Sequence, residues 1–126
     1  MPVVLRPQGA EPIMMAHLTH DEVNQWLARE WSEKHGAALE ALDARDLPPR
    51  RSYQAILVDH DSLDPVTRAK ALDHLLSLLP RILIVVYSYA LDEEAIRALT
   101  AHGVVVWRGL DEGRFQRLLR LAHSAA

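Results

Sequence analysis

Cysteine is absent from the 126 residues of this chain, so disulfide bonds, thiolate nucleophiles and zinc–thiolate sites are excluded. The longest apolar runs, such as residues 82–87, are far too short to cross a bilayer, and the N-terminus lacks the basic and hydrophobic stretches of an export signal. Its five glycines are spread singly, so no glycine-rich phosphate-binding loop is present. We therefore expect a cytoplasmic protein that has neither a membrane anchor nor a nucleotide site.

Neither sign of charge dominates the sequence. The net charge is −3, and the basic residues are scattered rather than gathered in a stripe that could follow a row of phosphates. Direct binding to nucleic acid is therefore not expected. Apolar residues make up 49% and charged residues 25% of the chain, which is ordinary globular usage. A chain of this length can bury one hydrophobic core, so we predict a single domain over residues 1–126.

Short apolar runs alternate with helical patterns along the chain. A T-x-x-E capping box made by Thr19 and Glu22 predicts the start of the first helix, whose tryptophans, Trp26 and Trp31, we expect in the core. The alternation predicts an α/β fold with a parallel sheet between helices on both faces. The strands are expected at residues 13–16, 37–42, 53–59, 82–87 and 104–107, and the helices after residues 19, 64, 92 and 111.

Two segments do not fit the alternation. Residues 43–52 carry two prolines and three arginines, so an irregular connection is expected there in place of a full helix. Residues 1–11 read as an extra strand or a tail, broken by Pro7 and Gly9.

The chain from residue 53 onward resembles a response-regulator receiver domain. The resemblance lies in an apolar strand that ends in Asp59, the sequence Val-Val-Tyr-Ser followed by Asp-Glu-Glu at residues 92–94, and Ala-His-Gly at residues 101–103 before a strand that reaches Arg108. It implies a flavodoxin-like, three-layer fold with a five-stranded parallel sheet in the order 2-1-3-4-5, and residues 43–52 indicate that the second helix is missing or shortened in this chain. It also implies that any site lies at the carboxyl ends of the strands.

The resemblance assigns a family role to each residue of that edge. Asp59 takes the place of the phosphorylated aspartate, and Ser88 that of the hydroxyl residue that ends the fourth strand. Arg108 stands where the family has a lysine, while Leu18 and Thr19 stand where the acidic pair that holds Mg²⁺ is expected.

These departures point to a degenerate receiver, or pseudo-receiver, that is not an enzyme and needs no cofactor. Transfer of a phosphoryl group to a carboxylate requires a divalent cation to offset the negative charges, and one carboxylate alone holds Mg²⁺ poorly. Arginine is also a poor replacement for lysine, because its planar fork has a different reach. We expect Arg108 to pair with Asp59 and lock the site.

A receiver-like domain of this kind acts by binding proteins. In receivers the binding surface is usually formed by the fourth helix, the fifth strand and the fifth helix, and the expected partner is another signalling protein, a domain of the same longer chain or a second copy in a homodimer. The residues of this chain on that surface are Arg97, Thr100, Trp107, Arg114 and Arg117.

Two other functions stay open at the level of sequence. An active receiver would be phosphorylated on Asp59 with the help of Mg²⁺, with an acid such as Asp21 reaching the site if the first helix began later than its capping box indicates. A small metal-dependent hydrolase would use His17, His20, Asp59 and His60, because imidazole and carboxylate groups suit transition metals.

Overall fold

The computed structural model describes residues 13–125, which form a five-stranded parallel sheet with two helices on each face. The strand order is β2-β1-β3-β4-β5, which confirms the flavodoxin-like topology expected from the sequence. The strands are β1 (Met14–Leu18), β2 (Ala38–Leu42), β3 (Ala55–Asp59), β4 (Leu83–Tyr87) and β5 (Val105–Trp107). The helices are α1 (Glu22–Lys34), α2 (Pro65–Leu76), α3 (Glu93–Ala101) and α4 (Glu112–Ala125).

Each face of the sheet has its own hydrophobic core. Ile56 and Val58 of β3 pack on the side of α2 and α3, whereas Ala55 and Leu57 pack with Phe115 on the side of α1 and α4. Successive side chains of a strand point to opposite faces, so a strand that is covered on both sides has to be apolar throughout. This explains the continuous apolar runs of β3 and β4.

The connection between β2 and β3 contains no α-helix. A single 3₁₀ turn, Ala44–Asp46, follows β2, and the carboxylate of Asp43 caps it by accepting from the Arg45 N–H at 2.9 Å. Ala44 and Leu47 pack against the core that α2 and α3 cover. The predicted loss of the second helix is thus confirmed, and apolar side chains of the loop cover part of the sheet in its place.

The first helix begins later than its capping box indicates. Its N-cap is Asp21, whose carboxylate accepts from the Asn24 N–H at 2.9 Å, and the prediction of Thr19 as the cap is wrong because the Thr19 hydroxyl donates to Asp59 instead. Trp26 was also expected in the core, but 59% of it is exposed. It precedes the buried Ala28 by two positions, or about 200° around the helix, and so faces outward.

The extra strand or tail expected at residues 1–11 lies outside the part of the chain that the structure describes. Within residues 13–125, no helix is long and apolar enough to cross a membrane.

Candidate functional site

The carboxyl ends of the strands and the loops after them form a crevice at one edge of the sheet. β3 ends in Asp59, the loop after it carries Asp61, Ser88 follows β4, and the loop after β1 brings Thr19 to the same edge. We use "the crevice" for these four residues together with Asn24 of α1. It lies where open parallel sheets generally carry their sites.

Asp59 is buried, with 3% of the residue exposed, and its charge is met by neutral donors. Its Oδ2 accepts from the Thr19 hydroxyl at 2.8 Å and from the Asn24 side-chain amide at 2.9 Å. A buried carboxylate is costly unless hydrogen bonds compensate for the water it has lost. No sequence motif marks Asn24 as a site residue, but its place three residues after the Asp21 cap sets its side chain toward the crevice.

Ser62 joins the loops that follow β1 and β3. Its hydroxyl accepts from the His20 N–H at 2.9 Å and donates to the Asp59 carbonyl at 3.0 Å. The guanidinium of Arg68 reinforces the second loop by donating to the carbonyls of His60 and Leu63 at 3.0 and 2.8 Å. These bonds hold Thr19 and Asp59 in a fixed relation.

Asp61 binds the loop that follows β4. One of its carboxylate oxygens accepts from the Ser88 hydroxyl and the other from the Tyr89 N–H at 2.8 Å. Burial raises the pKa of Asp61, but the hydrogen bonds from Ser88 and Tyr89 together with the interaction with His60 outweigh that effect, so the net shift of its pKa is downward. The Ser88 oxygen itself accepts from the N–H groups of Ala90 and Leu91 at 3.0 and 3.1 Å. The hydroxyl of Ser88 is therefore fully engaged within the molecule.

A buried histidine and tyrosine lie behind Asp59. His17 Nε2 and the Tyr87 hydroxyl are 2.8 Å apart, and both residues are at most 1% exposed. Burial lowers the pKa of His17 to about 4, although the negative charge of Asp59 opposes the shift. Burial also raises the pKa of Tyr87, and Asp59 adds to that rise. At neutral pH this pair is therefore uncharged.

Arg108 does not reach Asp59. Its guanidinium pairs with the carboxylate of Glu93 in the first turn of α3, and 57% of the Arg108 side chain is exposed. The expectation that Arg108 locks the site is thus wrong, since Thr19 and Asn24 already supply the donors that Asp59 needs. Leu18, the other residue at the place of the family's acidic pair, is fully buried in the core.

The residues expected to form a partner-binding surface are exposed only in part. Arg97, Thr100 and Arg117 are exposed, and Arg114 is partly exposed with its guanidinium 3.1 Å from Asp111. Trp107 was expected on this surface, but it is 9% exposed and packs in the core between the sheet and α4. Its side chain points inward because β5 alternates, and a partner cannot reach it.

The crevice contains two carboxylates, those of Asp59 and Asp61, and the histidines expected for a hydrolase are not gathered around them. Within residues 13–125, no three histidine, aspartate or glutamate side chains are placed to hold one. His17 and His60 are buried while His20 is exposed, so the set expected for a hydrolase is not assembled. Mg²⁺ requires oxygen ligands, whereas hydrogen-bond donors occupy Oδ2 of Asp59.

The fold is similar to that of solved receiver domains. No protein-family model and no curated protein sequence matches the chain. A CheY-like response regulator receiver domain protein from Methanospirillum hungatei JF-1 has a TM-score of 0.76 at 11% identity, covering 91% of this chain and 97% of that one. The signal receiver domain of an HD domain-containing protein from Pseudomonas fluorescens Pf-5 has a TM-score of 0.73 at 15% identity, with 90% and 96% covered.

A third similar structure is the beryllofluoride-activated NtrC4 receiver domain dimer in solution. Its TM-score is 0.71 at 12% identity, and the match covers 90% of this chain and 98% of that one. At such identities, the likeness shows that this chain has the receiver fold.

Proposed function

We propose that this chain is a signal-transduction module with the receiver fold, a pseudo-receiver that binds other proteins without being phosphorylated. The observation that carries the proposal is the internal use of the crevice. Asp59 accepts two hydrogen bonds from Thr19 and Asn24, and Ser88 donates its hydroxyl to Asp61. One oxygen of Asp59 and the hydroxyl of Ser88, the groups that would receive and hold a phosphoryl group, are thus occupied by hydrogen bonds within the molecule.

The electrostatics of phosphorylation support the same proposal. A phosphoryl group that approaches Asp59 brings negative charge against a buried carboxylate, and a hard divalent cation is the usual remedy. Leu18 and Thr19 supply no carboxylate at the place of the acidic pair, and Asp21 is used to cap α1. Arg108 is bound to Glu93 and adds no positive charge at Asp59.

The partner is proposed to bind the surface made by α3, β5 and α4 on the side that exposes Arg97, Thr100 and Arg117. The partner is another signalling protein or a further domain of a longer chain, and the setting is the cytoplasm. A second copy of the chain is the alternative partner, since a similar receiver domain was solved as a dimer. The proposed role is therefore that of a binding module rather than an enzyme.

Amide NMR during titration with Mg²⁺ and beryllofluoride tests phosphorylation independence, because beryllofluoride mimics a phosphoryl group on aspartate. We expect the resonances of Asp59, Ser88 and their neighbours to stay in place. Asp59→Asn serves as the control that identifies binding at this carboxylate. Shifts near Asp59 and Ser88 that disappear in Asp59→Asn would overturn the proposal and make the chain a phosphorylated switch.

Site-specific photo-crosslinking in cells tests the binding surface. A photoreactive residue at position 100, on α3, is expected to give discrete crosslinked products. The same residue at position 45, an exposed site on the 3₁₀ turn after β2, serves as the control. Equal yields at both positions would contradict the assignment of the surface.

A further inference from the structure

Asp61 fastens two loops of the crevice together with its charge. It lies two residues after Asp59, 31% of its side chain is exposed, and its two oxygens hold the Ser88 hydroxyl and the Tyr89 N–H. Hydrogen bonds to an ionised acceptor are shorter and stronger than those between neutral groups. The start of the loop after β4 is therefore positioned by an anion that belongs to the loop after β3.

Tyr89 also contacts the loop between β5 and α4. Tyr89 is 74% exposed, yet its ring lies against Gly109 and its hydroxyl accepts a long hydrogen bond of 3.4 Å from the Leu110 N–H. Gly109 has a φ of +121°, and a Cβ there would come within 2.6 Å of the Tyr89 ring. Only glycine permits both this backbone and this close approach of the ring.

We propose that Asp61 and Tyr89 form a latch, in which the Asp61 carboxylate fixes the loop after β4 and the Tyr89 ring transmits that position to Gly109 and Leu110. The latch couples the crevice to the start of α4 by a charge that is built into the sequence. The biological meaning of the latch rests on the proposed function, because a module that works without phosphorylation needs its binding surface set in advance. Its existence does not depend on that function.

The latch differs from an ordinary loop contact because the group that accepts its hydrogen bonds is charged. The Ser88 hydroxyl and the Tyr89 N–H converge on one anionic group, which is how a protein holds an anion. Asp61→Asn has nearly the same shape but no charge, and its single acceptor oxygen can serve the Ser88 hydroxyl or the Tyr89 N–H but not both. This substitution therefore weakens the latch without creating a cavity.

Amide NMR and hydrogen exchange of the unmodified protein test the latch. In Asp61→Asn we expect the Tyr89 N–H to exchange on the order of tenfold faster, and the resonances of Gly109 and Leu110 to shift. Asp73→Asn, on the exposed side of α2, is the matched control and should change neither. A change at Tyr89 without any shift at Gly109 and Leu110 would refute the coupling.

A second substitution separates transmission from general loosening. Tyr89→Ala keeps the Asp61–Ser88 bond and removes only the ring that touches Gly109. In the Tyr89→Ala background, Asp61→Asn should no longer shift Gly109 and Leu110, and a shift that persists would overturn the proposal. The test uses no phosphoryl analogue, so its failure is distinct from failure of the beryllofluoride experiment.

Discussion

Asn24 donates its side-chain amide to Asp59 at a position where a carboxylate oxygen would be needed to hold a metal ion beside Asp59. Its Nδ2 lies 2.9 Å from Oδ2 of Asp59. In Asn24→Asp, two carboxylates would face each other in a buried site, and we expect the variant to lose about 1–3 kcal/mol of unfolding free energy without Mg²⁺. Millimolar Mg²⁺ should then raise its thermal midpoint by about 4 °C or more, since an ion that binds only the folded state stabilises it.

Asn24→Ala is the control for this change, because it removes the same donor but adds no charge. Its melting temperature, like that of the wild-type protein, should not respond to Mg²⁺. An Asn24→Asp variant whose thermal scans are the same with and without Mg²⁺ would show that the crevice lacks room for the ion.

The sequence placed the strand-end residues correctly but not their partners. Asp59 and Ser88 were expected at one edge of the sheet because parallel strands end there. Their hydrogen bonds depend on a helix start and on loop geometry, which a pattern of apolar residues does not encode. The sequence pattern predicts Thr19 as a helix cap and gives no sign that Asp61 anchors Ser88, so neither the donor to Asp59 nor the partner of Ser88 is predicted.

The connection between β2 and β3 covers part of the core where the sheet has no second helix. Leu47 is partly buried and packs, with Ala44, on the core that α2 and α3 cover. We expect Leu47→Ala to lower the unfolding free energy by about 2 kcal/mol, at the low end for leucine truncations because the side chain is only partly buried. Urea unfolding measures the loss. Arg50→Ala, in an exposed position of the same loop, should cost less than about 0.5 kcal/mol, and an equal loss in both would argue that the loop does not cover the core.

Elements were easier to predict than their ends. The alternation of apolar runs and helical patterns gave the β–α order, and the two prolines within residues 43–52 correctly indicated a missing helix. The helical pattern that starts after residue 64 has no proline between Pro65 and Pro80, but α2 stops at Leu76, where the Ser77 hydroxyl donates to the His74 carbonyl. Such a local side-chain bond competes with the helix and is not visible as periodicity.

The stability of the whole molecule is linked to pH through two buried histidines. Burial lowers the pKa of His17 to about 4, and burial together with the charge of Arg68 lowers the pKa of His60. Below the ordinary histidine pKa of about 6.5, the unfolded chain binds protons that the folded chain does not. The contribution of His17 to stability is therefore fully present above about pH 6.5 and is lost progressively as the pH falls toward about 4, and the contribution of His60 is lost in the same direction.

Urea unfolding measures this linkage as the difference between the unfolding free energies at about pH 7.5 and about pH 5. Each histidine contributes to that difference separately. His17 alone should account for about 2 kcal/mol of lost unfolding free energy at the lower pH, given its pKa of about 4. In His17→Gln the side chain can still bond the Tyr87 hydroxyl but cannot titrate, so the difference between the two pH values should shrink by about that amount and leave the part due to His60. His20→Gln, at an exposed position, is the control and should keep the wild-type difference. Carboxylates such as Asp43, whose pKa is about 2, titrate below this range of pH. An unchanged difference in His17→Gln would therefore mean that His17 in the folded protein is already protonated at about pH 5.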